Sequence, residues 1–219
     1  MARILITGAN RGIGLALASA LSARGDEVLA ACRTSSRKLE ALGVRVIARV
    51  DVTDDDSVAR LAREVGDEPL DALINNSGIL TVESLDDFDV ERIRRQFEVN
   101  SIGPLRVTRA LLDRLGAGSK VAIVTSLMGS MSDNESGGYY GYRMSKAAVN
   151  AGGVSLARDL EPRGVSVVLL HPGMVATDMT GGRGISAEES ASGLIARIDE
   201  LELSTTGSFR HQDGRVLEW

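Results

Sequence analysis

The 219-residue chain has a single cysteine, Cys32. One thiol excludes an intramolecular disulfide, so the fold must rest on its core, and a reducing, cytoplasmic setting is expected. Histidine is nearly as scarce, with two residues, and no cluster of Cys, His or carboxylates has metal-ligand spacing. Aromatic side chains make up 3% of the chain, too few for a base-stacking platform. Positive charge is outnumbered: 25 Lys and Arg stand against 30 Asp and Glu, a net charge of −5. That balance excludes nucleic acid as the expected partner. Arg92, Arg94 and Arg95 cluster, but Glu91 and Glu98 beside them mark a solvated helix face. The apolar run within MARILITGAN is too short for a signal peptide, and no run of roughly 18 apolar residues offers a membrane span.

What is present is glycine, 24 residues, and 43% hydrophobic residues. Short apolar runs at 2–7, 27–32, 44–49, 70–75, 120–125 and 165–170 are nearly continuous in apolar character. Strands of that kind are buried on both faces of a parallel sheet. Amphipathic helices are expected between them at 13–24, 54–65, 139–160 and about 187–200. Residues 85–115 read as one long helix, or two joined near Gly103-Pro104. No linker, repeat or low-complexity segment breaks the alternation. Residues 1–219 therefore form one α/β domain, a Rossmann-like, doubly wound and mostly parallel sheet flanked by helices. Residues 129–141 and 181–184 are glycine-rich loops, and the second is a candidate lid.

The chemistry-bearing positions lie where the strands end. TGANRGIG at 7–14 follows the first strand and opens the first helix. Gly8, Gly12 and Gly14 allow a tight turn and close approach of a pyrophosphate to free helix N–H groups. The second strand ends Ala31-Cys32-Arg33-Thr34, without the carboxylate that would take an NAD ribose hydroxyl. Arg33, with Arg11, offers a guanidinium pocket for the 2′-phosphate of NADP(H), so NAD(H) is the less favoured cofactor. Asp51 and Val52 either hold the adenine or, for Asp51, cap the next helix. Asn75, Asn76, Ser77 and Gly78 end the fourth strand, where two adjacent amides can bridge strands and line the crevice.

Tyr142 and Lys146 share a helix face at i and i+4. A phenol titrates near 10, and a nearby ammonium is expected to lower that value and equip Tyr142 for acid/base work. Ser126, at the end of the fifth strand, can hold the substrate oxygen. Asn100, poorly suited to a helix interior, is read as kinking its helix and holding a relay water. His171 is read as incidental beside the turn at Pro172-Gly173, and Thr177 as a partner of the nicotinamide carboxamide. Ser126 lacks the G-x-S-x-G setting of a hydrolase.

Together TGANRGIG, Asp51-Val52, NNSG, EVNSIGP, Ser126, YRMSK and HPGMVATDM resemble the short-chain dehydrogenase/reductase family over essentially the whole chain. Within the family, GANRGIGLAL, the stretch MSDNESGGYYGYRMSKAAVN and the terminal FRHQDGRVLEW resemble the branch of C-factor-like proteins and sniffer-type carbonyl reductases. The resemblance implies a catalytic tetrad of Asn100, Ser126, Tyr142 and Lys146, with Lys146 also on the nicotinamide ribose. It implies cofactor contacts at Gly8, Asn10, Arg11, Gly12, Ile13, Gly14, Arg33, Asp51, Val52, Asn76, Ser77, Gly78, Tyr142, Lys146, Pro172, Gly173, Val175 and Thr177. Two departures stand out: Ser77 replaces the usual alanine, and the segment after Met179 is short, which implies an open or small pocket. The expected activity is hydride transfer between NADP(H) and a small carbonyl or alcohol; the alternative is an NADP(H)-sensing signalling protein of C-factor type. Ala147, Ala148, Ala151, Gly152 and Gly153 leave a small-residue face on the Tyr142 helix, which suits close packing against a sheet or another subunit; relatives pair through this helix and the one before it, so a homodimer or homotetramer is expected.

Overall fold

The structure is a computed structural model that describes residues 1–219. Seven strands form one sheet: β1 (Arg3–Thr7), β2 (Glu27–Ala31), β3 (Arg45–Ile47), β4 (Ala72–Asn75), β5 (Lys120–Val124), β6 (Ser166–His171) and β7 (Ser208–His211). Every neighbouring pair is parallel, in the order β3-β2-β1-β4-β5-β6-β7. The direction of strand succession reverses beside β1, and crevices for ligands open at such a point.

The central strands are largely apolar because both faces are covered. Leu5, Leu29, Leu73, Ile123 and Val167 share one core with α3 (Asp55–Val65), α5 (Gly103–Ala110) and α6 (Tyr140–Leu160). Ile4, Val28, Ile74, Val124 and Leu170 share the opposite core with α1 (Gly12–Ala23) and α7 (Ala187–Asp199). Cys32 lies in that second core, and burial pushes its thiol up, which makes it unreactive.

The sequence expectation missed β7 and the four-residue helix α2 (Arg37–Glu40). The stretch from 85 to 115 holds two helices joined just before Gly103-Pro104, but through an irregular turn. It runs as α4 (Val90–Phe97), a π-helical turn at Glu98–Ile102, α5 and a 3₁₀ turn at Leu112–Arg114. The irregularity therefore falls on Asn100 itself. Pro104 sits in the first turn of α5, where its missing N–H costs nothing. Residues 181–184 form a tight turn closed at its base by the paired Val175 and Ile185.

Candidate active site

The β1–α1 turn is built to bring backbone close to a ligand. Gly8 has φ +68° and Gly12 φ +51°, both left-handed. A side chain at Gly14 would overlap the Gly8 carbonyl. Asn76 closes the turn from β4: its Nδ2 donates to the carbonyls of Thr7 at 3.0 Å and Gly8 at 3.2 Å. The Thr7 hydroxyl accepts from the backbone N–H groups of Asn76 and Ser77 at 3.0 and 3.1 Å. Asn75 turns the other way and donates to Thr108 of α5 at 3.1 Å. The two amides thus tie β4 to different elements, as their position after the strand suggests.

The far end of the cleft is set by β2. Asn10 donates to the Thr34 carbonyl and accepts the Ser36 hydroxyl on its own carbonyl, each at 2.8 Å. These contacts clip the loop after Arg33 onto the glycine turn. Arg33 is exposed and forms no ion pair, whereas Arg11 reaches across to Asp178 at 2.8 Å. Both partners of that pair are exposed, so it contributes at most about 1 kcal/mol. The helix-cap reading of Asp51 is overturned: Asp54 caps α3, accepting from the Ser57 N–H at 2.6 Å. Asp51 instead accepts the N–H and hydroxyl of Thr53 through Oδ1, at 2.9 and 2.7 Å. Against burial, which would raise it, these bonds and the charges of Arg33 and Arg95 hold the Asp51 carboxyl below its usual range. Val52 is buried and packs on Gly103.

The catalytic candidates converge at the C-terminal ends of β4 and β5. Asn100, buried in the π-helical turn, accepts the Ile79 N–H and donates to the Ile79 carbonyl, each at 2.9 Å. It also donates to Ser145 Oγ at 3.0 Å, and Ser145 Oγ donates in turn to the Tyr142 carbonyl at 2.8 Å. A π-helical turn releases backbone groups and re-aims a side chain; here that side chain joins the NNSG segment to α6. A side chain on Gly78 would point at Asn100 Oδ1 and Lys146 Nζ, 3.5 and 3.9 Å away.

The titration of Tyr142 runs opposite to the sequence expectation. Burial pushes its phenol up to about 12, and the hydrogen bond with Ser126 offsets only part of that. Lys146 Nζ lies 5.7 Å from the centre of the Tyr142 ring and donates to the Val124 carbonyl at 2.9 Å. Burial also lowers the ammonium to about 8. Desolvation dominates at both groups.

The segment after β6 forms the last wall. Gly173 has φ +83°, and the buried Pro172 accepts the Ser190 hydroxyl at 2.8 Å. Val175 is buried; Thr177 Cγ2 lies 3.2 Å from where a side chain on Gly12 would begin. The 170s segment therefore roofs the glycine turn. His171 faces His211 edge to face at 5.0 Å, and burial lowers its imidazole to about 4. The sequence reading singled out none of His211, Ser145, Thr108 and Glu83, because the contacts that matter here reach Asn100, Asn75, His171 and Gly141 across the fold.

The arrangement is a dinucleotide cradle beside a buried phenol, with a serine on the phenol and an ammonium under it. Such a site can exchange a proton with a substrate oxygen. The family model for short chain dehydrogenases matches residues 2–186. Over 226 aligned residues, spanning 100% of both chains, the protein is 44% identical to 1-hydroxy-2-glutathionyl-2-methyl-3-butene dehydrogenase of Rhodococcus sp. strain AD45. It is 45% identical to the C-signal of Myxococcus xanthus over 155 residues, 69% of this chain and 93% of that one. Among solved structures, NADPH-bound carbonyl reductase from chicken fatty liver superimposes with a TM-score of 0.91 at 29% identity, covering 100% of this chain and 99% of that one. The carbonyl reductase Sniffer of Drosophila melanogaster gives 0.92 at 29% identity, with 100% of both chains covered. The chain belongs to the short-chain dehydrogenase family, an oxidoreductase of its C-signal and sniffer-like branch.

Proposed function

We propose that the protein catalyses reversible hydride transfer between NADP(H) and a small carbonyl or alcohol, with Tyr142 as the acid/base. The observation that carries this reading is the buried phenol of Tyr142, bonded to Ser126 above Lys146 and set beside the glycine turn. The residues present fit the cofactor. The left-handed Gly8 and Gly12 shape a tight turn that opens α1 with its free N–H groups, no carboxylate ends β2, Arg33 has no ion-pair partner, and the buried Ser35 Oγ has no hydrogen-bond partner. The chicken reductase of the same fold binds NADPH. Gly8, Asn10, Gly12, Ile13 and Gly14 would hold the pyrophosphate side; Arg33, with Arg11, the 2′-phosphate; Asp51 and Val52 the adenine. Asn76, Ser77, Gly78, Pro172, Gly173, Val175 and Thr177 would line the nicotinamide side. The bound dinucleotide supplies the hydride.

The chain's own residues handle the proton. Ser126 and Tyr142 donate hydrogen bonds to the substrate oxygen and place it. At a value near 12 the phenol is fully protonated at neutral pH, the form that carbonyl reduction needs. As the oxygen gains negative charge, the Tyr142 O–H bond breaks and the alcohol O–H bond forms. The phenolate left behind is stabilised by Lys146, whose charge gains value in a dry site. In alcohol oxidation the same proton travels back. Asn100 holds the turn from which a relay water is fed.

The Rhodococcus relative's substrate is an alcohol beside a glutathionyl thioether. Met131, Met174 and Met179, on the segments that follow β5 and β6, are exposed and adaptable, so bulky apolar and thioether-bearing alcohols belong in the substrate panel. NADPH and NADH oxidation should be followed at neutral pH with aldehydes, ketones, diketones and quinones, and the reverse reaction with alcohols. Tyr142→Phe should lower kcat by roughly 10²–10⁴-fold with NADPH binding intact. Equal turnover in the variant overturns the assignment. The likeness to the C-signal supports a second reading, NADP(H) sensing in signalling; tight NADPH binding without turnover on any compound would favour it.

The association of copies is a separate proposal. Part of the small-residue face of α6 is used within the chain, since Gly153 packs on Leu169 of β6 and Gly152 on Leu105 of α5. Support for a homodimer or homotetramer through α6 and the helix before it comes instead from the exposed Ile102 and Met144. Light scattering at micromolar concentration decides it.

A further inference from the structure

Glu83 is buried to 1% exposure, yet it forms no ion pair. Arg92, the cation whose charge is coupled to it, is spent on Asp87 and Asp89. The Glu83 carboxylate is satisfied by neutral donors instead. It accepts the Thr81 hydroxyl at 2.5 Å, the Gln96 amide on both oxygens at 3.2 Å, and the backbone N–H of Gly141 at 3.1 Å. Its own carbonyl accepts the Tyr139 N–H at 3.0 Å. Gln96, fully buried, is held in turn by the Thr81 N–H at 3.0 Å.

These contacts meet at the start of α6. The 21-residue helix carries no side-chain cap of its own and no acidic residue in its first turn. It opens from Tyr139, a non-glycine residue held at φ +52°. A helix start of this length leaves unpaired N–H groups and a positive dipole end, which an anion satisfies. Glu83 provides that anion from outside the helix. Gly141 is the residue before Tyr142, and a side chain there would collide with Gln96 and press on Glu83 Oε2 at 3.0 Å. The same segment is fixed at its other end by the paired bonds between Ile79 and Asn100. Residues 79–83 therefore span from the π-helical turn to the start of the tyrosine helix.

We propose that Glu83 is a positioning residue for Tyr142: its buried carboxylate caps the catalytic helix from a remote segment and sets where the phenol stands. The proposal rests on the acid/base role of Tyr142. A carboxylate suits this place because it only accepts, and it takes all of these donors at once. In Glu83→Gln one oxygen becomes an NH₂ donor facing the Gln96 amide or the Gly141 N–H. In Glu83→Asp the charge stays but is withdrawn by one methylene.

The test measures kcat, KM for the carbonyl and NADPH affinity in wild type, Glu83→Gln and Glu83→Asp. The expected result is unchanged NADPH affinity with kcat lower by roughly 10- to 100-fold in Glu83→Gln, and an intermediate loss in Glu83→Asp. Wild-type kcat in both folded variants overturns the proposal. So does loss of NADPH binding in both, which assigns Glu83 to the fold instead of to tyrosine placement. A wild-type protein that binds NADPH but turns over nothing removes the underlying acid/base reading first, so the two failures are told apart.

Discussion

At the scale of single residues, the cofactor preference proposed above turns on Arg33. It lies just past β2, exposed and without an acidic partner, and its charge is felt by Asp51 across the end of the sheet. A guanidinium attracts a phosphate, whereas a carboxylate repels it and accepts from a ribose hydroxyl. Arg33→Asp should therefore reverse the ratio of kcat/KM for NADPH over NADH by about 10-fold or more, the worth of one charged hydrogen bond. An unchanged ratio would place the phosphate elsewhere. Arg11 was legible as a second cation, but its bond to Asp178 was not, because nothing in local sequence joins positions 167 residues apart. Tyr142 and Lys146 were legible from their i, i+4 spacing. The direction of the phenol's titration was not, since it depends on burial that only the packed core creates.

At the scale of elements, α6 carries most of the site and is held on three sides. Asn100 grips it through Ser145, Glu83 caps it, and β6 supports it at Gly153. A side chain on Gly153 would begin 2.8 Å from the Leu169 side chain. Gly153→Val should cost about 1–3 kcal/mol by overpacking, read as a lower urea midpoint with an unchanged slope. The small-residue stripe of α6 read in sequence as a face for a sheet or a second subunit, and Gly153 takes the first of these against Leu169. The first six strands were legible as nearly continuous apolar runs. β7 was not: Ser208-Phe209-Arg210-His211 has one large apolar side chain and lies at the sheet edge, where one neighbour suffices. The π-helical turn left a trace only in the awkward asparagine at its centre.

At the scale of the whole molecule, stability should depend on pH through His171. Its folded value is about 4, lowered mainly by burial and further by the positive charges of His211, Arg215 and Lys146. An unfolded imidazole titrates near 6.5. Between pH 6.5 and 4 the unfolded chain takes a proton that the folded one refuses, so stability falls as pH falls through that window. The loss is bounded at roughly 3 kcal/mol. Asp213, whose carboxyl is lowered to about 2, acts only below 3.8 and leaves this window clear. Denaturation of His171→Gln should show a flatter slope from pH 6.5 to 4; a slope equal to wild type would mean that His171 protonates without cost.

The strand order has a consequence for synthesis. β2 and then β3 extend the sheet on one side of β1, β4 extends it on the other, and β5, β6 and β7 follow outward from β4 in chain order. No later strand inserts between two already paired. A nascent chain can therefore add each strand to a finished edge as it leaves the ribosome, without reopening earlier contacts. The strands that carry the glycine turn are all present once residue 75 has emerged, well ahead of the helix that brings Tyr142. The half with the glycine turn is thus laid down first, and the half that carries the tyrosine is assembled against it.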